Sequence, residues 1–243
     1  MSAFDDAKSL VAHAKGELPK IKRAYDESLT SKTISAALLV EIKNFFENLR
    51  SALDFTAHGL FDRHCAKTGK KPKIYFPYAT ASQSRQDFEK GGRIESCIPG
   101  LSVARPDVVA TILGMQHFAS GGAYSWLPTF MELNNENKHQ RLVPQIRKET
   151  KELRITGGGA SISLGQGASI SLGQGASISV GGAVIRGGQS FDVNNPPRVQ
   201  GGRVEVITWV SFHFDSNDAP VLPLLESALS GVERIVVELD AKT

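Results

Sequence analysis

Apolar positions in the first part of the chain fall into two stripes at helical spacing. Phe4, Ala7, Leu10, Val11, Ala14 and Leu18 share one face of a first helix. Ser2 and Asp5 are placed to cap it, the hydroxyl taking a first-turn N–H. Pro19 is expected to kink or restart this helix before Ile21 and Tyr25. Leu38, Ile42, Phe45, Leu49, Leu53, Thr56 and Leu60, spaced by threes and fours, predict a longer helix from Ser35 to about His64. Residues 72–104 show little periodicity and read as a loop region containing Phe76-Pro77. Arg105-Pro106-Asp107 opens a further helix, with proline in the first turn, that carries Val109, Ile112, Leu113 and Phe118 and stops at Gly121-Gly122. The next runs from about Ser125 to His139 with Trp126, Phe130 and Leu133 as its apolar face.

At Gly157 the period changes from helical to two. Gly-Ala-Ser-Ile-Ser-Leu-Gly-Gln at 159–166 recurs at 167–174 and returns as Gly-Ala-Ser-Ile-Ser-Val-Gly-Gly at 175–182. Alternation puts Ala160, Ile162 and Leu164 on one face and Ser161 and Ser163 on the other, the pattern of a half-buried strand. The even repeat length keeps the apolar set on one side along a solenoid-like path, whereas a hairpin meander needs its turns to restore that side. Val204, Val206, Val210, Phe212 and Phe214 predict a strand over 203–214. Asp218 is expected to cap a last helix with Val221, Leu225, Ala228, Val232, Ile235 and Leu239 on one face. The fold class is therefore α+β. A helical bundle (1–156) precedes a Gly-rich β-repeat segment (157–217), and a C-terminal helix (218–243) packs back on the bundle.

Composition fits a folded chain, 41% hydrophobic and 22% charged. No apolar run approaches the roughly 18 residues of a membrane span, and the N-terminus does not read as a secretory signal. Cys65 and Cys97 have no metal-ligand spacing and read as small hydrophobic side chains in a reducing cytoplasm. Charge is uneven: residues 1–156 hold 23 Lys+Arg against 17 Asp+Glu, a net +6, and residues 157–243 hold 5 against 8, a net −3. The cations gather at Arg63, Lys67, Lys70, Lys71 and Lys73, and at Lys138, Arg141, Arg147, Lys148, Lys151 and Arg154. Such clusters attract phosphate backbones or simply solvate a surface. His13, His64, His117 and His213 share no ligand spacing, so neither metal nor cofactor is expected.

Three stretches carry a resemblance: Asn48-Leu49-Arg50-Ser51-Ala52-Leu53-Asp54, Phe76-Pro77, and Leu133-Asn134-Asn135-Glu136-Asn137-Lys138-His139. Together they resemble a group of bacterial proteins with helical cores, over roughly residues 35–145. More distantly the arrangement is similar to the HEPN superfamily of small bundles, many of which bind or cut RNA, often as dimers. That resemblance implies RNA binding or a metal-independent ribonuclease, with a role in stress or defence. HEPN ribonucleases carry Arg, four to six residues, then His; here Arg50 and His58 come nearest, with seven between.

Arg50, Asp54 and His58 lie at i, i+4 and i+8 on one helical ridge. In a structural reading Arg50 and Asp54 pair to fix helix register, and Asn135 ends its helix by bonding backbone. In a functional one Asp54 orients Lys138 or His139 for acid–base work or phosphate binding, with His58, Asn135, Lys138 and Arg141 around them. Three functions follow. The first is a non-enzymatic bundle that forms homo-oligomers or binds a protein partner through its β segment. The others are an RNA-binding or RNA-cleaving protein and a small-ligand binder using Arg50, Asp54 and His139.

Overall fold

A computed structural model describes residues 2–31, 34–65, 72–139 and 142–243, the side chains of residues 30, 137–139 and 209 excepted. Its contacts divide the chain into a helical unit, Met1–Ile146 with His213–Thr243, and a β unit, Arg147–Phe212.

The helical unit is built on α1 (Ala3–Ser31), α2 (Ala36–His64), α7 (Trp126–His139) and α8 (Val221–Ala241). Ser2 and Asp5 form the expected reciprocal cap: Asp5 N–H donates to Ser2 Oγ at 3.2 Å and Ser2 N–H to Asp5 Oδ2 at 2.7 Å. Pro19 does not interrupt α1. Although an internal proline costs about 3 kcal/mol, it sits exposed while Ile21 and Tyr25 behind it bury fully, so packing holds the helix together. Ser35 caps α2, and every residue of its predicted stripe is buried. The α8 stripe is buried likewise, and α8 packs on both α1 and α2. A Cβ at Gly231 would run into the Trp126 ring, which lets α8 and α7 lie close. No helix is long and apolar enough to cross a membrane among the described residues.

Three further expectations are corrected. The 72–104 region holds three short helices, α3 (Arg85–Lys90), α4 (Arg93–Cys97) and α5 (Leu101–Ala104), too brief to show a period. Helix α6 (Pro106–Gly114) stops at Gly114, well before Gly121-Gly122, and buries Val108 and Ile112, with Val109 and Leu113 half-buried. Asp218 does not cap α8: it adopts φ 59° in a tight turn closed by Phe214 N–H to Ala219 O at 2.9 Å, and Pro220 precedes the helix without a side-chain cap.

The strands are β1 (Gln145–Gly157), β2 (Ala160–Gly165), β3 (Ser169–Leu172), β4 (Ser177–Val180), β5 (Ala183–Arg186), β6 (Gln189–Asp192), β7 (Val199–Gln200) and β8 (Arg203–Phe214). They form three sheets, ordered β2-β1-β8, β3-β6 and β4-β5-β7. Strand β1 opens at Gln145, in a stretch where charged side chains hide the alternation of Leu153 and Ile155 until these bury. The second and third repeat units, β3 and β4, lie end to end on one arm of a bent hairpin. Ser169–Leu172 pair antiparallel with Asp192–Gln189, and Ser177–Val180 with Arg186–Ala183. At the corner Gly188 N–H donates to Leu172 O and Gly187 N–H to Ala176 O. Gly167 and Gly175 make the turns between units at φ 86° and 80°. The path is thus hairpin-like. The even repeat still keeps Ile162, Leu164, Ile170, Leu172 and Ile178 against one small core of Leu153, Ile155, Ile185, Phe191 and Val193. Ser161, Ser163, Ser169, Ser171, Ser177 and Ser179 all face solvent.

Candidate functional site

The three motif-bearing stretches meet in the helical unit. Strong apolar anchoring of α2 through Leu49 and Leu53 turns Arg50 and Asp54 to the margin of the core, where their side chains are 11% and 22% exposed. Arg50 Nε donates to Asp54 Oδ2 at 3.3 Å, and its Nη1 lies 3.0 Å from the Met131 sulfur of α7. The other carboxylate oxygen, Oδ1, accepts the Phe76 N–H at 3.0 Å. Gln116, 1% exposed, takes the same segment from the other side: Ala79 N–H donates to its Oε1 at 2.9 Å, and its Nε2 donates to Pro77 O at 3.2 Å. Asp54 and Gln116 thereby satisfy the backbone of an extended stretch that no sheet pairs.

What they hold in place is Tyr78. The Arg50 guanidinium lies 5.6 Å from its ring centroid and that of Arg93 5.8 Å. Asn135 Nδ2 donates to its hydroxyl at 3.3 Å. Asn135 therefore bonds a side chain rather than the end of its own helix. Tyr78 and Asn135, with Thr80, Ala81, Ser82, Pro128 and Glu132, line a pocket of about 350 Å³.

The remaining candidates fall elsewhere. His58 is exposed two turns along α2 and does not line this pocket. The side chains of Lys138 and His139, at the end of α7, and all of Arg141 lie outside the described residues, as do Lys67, Lys70 and Lys71. Of the other cations, Arg63 pairs with Asp240 at 3.0 Å, Arg154 with Glu152 at 2.9 Å, and Arg147 with Glu149. Cys65 and Cys97 are free, buried thiols, and burial, followed by the Glu95 charge, pushes Cys65 up. No group of three or more His, Cys, Asp or Glu among the described residues is placed to hold a metal ion.

A second polar cluster carries no motif. Arg105 forks onto Asp107 at 2.9 and 2.7 Å, donates to the Lys242 carbonyl at 2.6 Å, and sits 3.2 Å from His64 Nε2. A guanidinium only donates, so His64 Nε2 accepts and the ring is neutral. Burial first, then Arg105 and Arg63, hold His64 below the ordinary histidine range, against the pull of Asp107. The Arg105 fork lowers Asp107 to about 2. Tyr78, Gln116 and the contacts of Arg105 with His64 and Lys242 escape sequence reasoning because those partners arrive from distant stretches; the signal available for Gln116 was a lone amide beside the apolar run of α6. Comparison of the chain with family models, curated proteins and solved structures finds no match.

Proposed function

We propose that the protein is a non-enzymatic helical-bundle protein that assembles through its β unit. The observation carrying this is the incomplete burial of the repeat. Ile162, Leu164, Ile170, Leu172 and Ile178 reach the small core but stay only partly buried within one chain. Each aliphatic side chain left open forfeits a share of the roughly 1.5–3 kcal/mol its burial supplies, which a partner surface recovers. The non-enzymatic half is supported by Asp54, whose two oxygens are taken up by Arg50 and by the Phe76 backbone rather than presented to a substrate. Light scattering on the full chain over a range of concentrations tests the reading. A mass above that of one chain, growing with concentration, is expected; the mass of one chain throughout would refute it.

The pocket beside Tyr78 favours a second reading, small-ligand binding, since its volume falls within the range of such sites. A thermal-shift screen of small amines and sugars, with Asn135→Ala as control, tests it, and no shift in any condition removes it. RNA binding has less support, because Arg63, Arg147 and Arg154 are already in ion pairs. Filter binding that is absent at low salt would close that alternative.

A further inference from the structure

The pocket beside Tyr78 has two walls of different kind. On one side stand Pro128, Glu132 and Asn135, at i, i+4 and i+7 along one face of α7. On the other runs the stretch from Tyr78 to Ser82, which closes into a turn as Gln83 N–H donates to Thr80 O at 2.9 Å. Both walls are fixed before any ligand arrives. Asp54 and Gln116 pin the chain at Phe76, Pro77 and Ala79, and Asn135 ties the walls together through the Tyr78 hydroxyl. The polar atoms left over favour a ligand rich in donors. Asn135 uses its Nδ2 on Tyr78 and keeps Oδ1 as an acceptor, and Thr80 and Ser82 add hydroxyl oxygens. Among the described residues Glu132 is the one charged side chain lining the pocket. The two arginines against the Tyr78 ring are engaged elsewhere: Arg50 pairs with Asp54, and Arg93 lines a separate hollow with Glu89 and Glu95.

We propose that this pocket binds a small primary ammonium compound, with the ammonium group on the Glu132 carboxylate. The proposal rests on the small-ligand reading above and names its ligand class. An ammonium presents three donors and no acceptor, which matches a wall made of a carboxylate, an amide oxygen and two hydroxyls. Its bond to a carboxylate is charge-assisted and roughly twice as strong as a neutral one. Pro128, Ala81 and the Tyr78 ring give an apolar surface for the alkyl stem. At about 350 Å³ the pocket lies near the lower end of the range for ligand sites, so it suits a small molecule rather than a large cofactor. A carboxylate or phosphate ligand meets Glu132 as a like charge and is rejected. A neutral polyol can bond the same oxygens but leaves the carboxylate without a counter-charge.

The test titrates the full chain at neutral pH and follows its amide NMR shifts. Butylamine is the probe, with butanol, butyrate and glucose beside it. Butylamine should shift the amides of residues 78–82 and 129–135 saturably, and butanol and butyrate should not. Glu132 is exposed, so Glu132→Gln keeps the fold; it should weaken butylamine about tenfold or more. Glu136→Gln, one turn along α7 and outside the pocket, should bind as wild type. Equal weakening in both variants would mean attraction to general negative charge and would overturn the proposal. Unchanged binding in Glu132→Gln would overturn it too. Saturable shifts with glucose or butyrate in place of butylamine would overturn the amine and leave the small-ligand reading standing. Silence with all four probes would overturn the proposal, and the small-ligand reading falls with it only if the thermal-shift screen is blank as well.

Discussion

Replacing Asp54 by alanine removes two acceptor contacts at once, leaving the Phe76 N–H and the Arg50 guanidinium without their partner. A buried donor stripped of its acceptor costs about 1–3 kcal/mol. Asp54→Ala should therefore lower stability to denaturant by an amount in that range. Asp54→Asn, which keeps one oxygen for Phe76, should lose less. Equal stability of Asp54→Ala and wild type would show that the 72–80 segment is held by other means. A second residue-scale expectation concerns pH. Because folded His64 is held below its ordinary value, the unfolded chain takes the proton more readily. The stability that neutral His64 supplies is present above about pH 6.5 and is lost as pH falls from there through the folded value. Arg105, Arg63 and Asp107 are the charged groups facing it. His64→Gln keeps an acceptor for Arg105 without titrating, so its melting temperature should fall less than wild type between about pH 7.5 and 5.5. Parallel falls would contradict the role given to His64. The Arg50–Asp54 pair was legible because i, i+4 spacing states its own geometry. Tyr78, directly after the Phe76-Pro77 motif, was not, because its partners Arg93 and Asn135 come from a short helix and from α7.

Among the elements, those with a long unbroken period were plain from the residues: α2, α8 and β8 stand where their stripes put them. Short elements such as α3, α4 and α5 offer less than two turns for a period to show. Strand β1 was hidden for another reason, since charged residues alternate with charged residues until Leu153. The octapeptide showed its two faces but not its path, because pairing of β3 with β6 depends on a return strand of unrelated sequence. That pairing decides what removing one unit does. Deleting residues 167–174 takes away β3, so β6 loses its partner and Phe191, 1% exposed, loses the Ile170 strand beside it. The deletion should lower the melting temperature markedly or cause aggregation. An unchanged melt would mean that neighbouring units slip into register as in a solenoid.

For the whole molecule, the two units divide the work differently. The helical unit places Asp54, Gln116 and Arg105 on backbone. The β unit leaves its repeat aliphatics partly open. Association should therefore be recorded in the β unit. Amide hydrogen exchange on the full chain, compared at concentrations below and above the onset of association, reads this residue by residue. Greater protection at high concentration confined to the repeat strands of the β unit is the predicted result. Protection that instead rises along α1, α2 or α8, or that does not depend on concentration anywhere, would contradict assembly through the β unit.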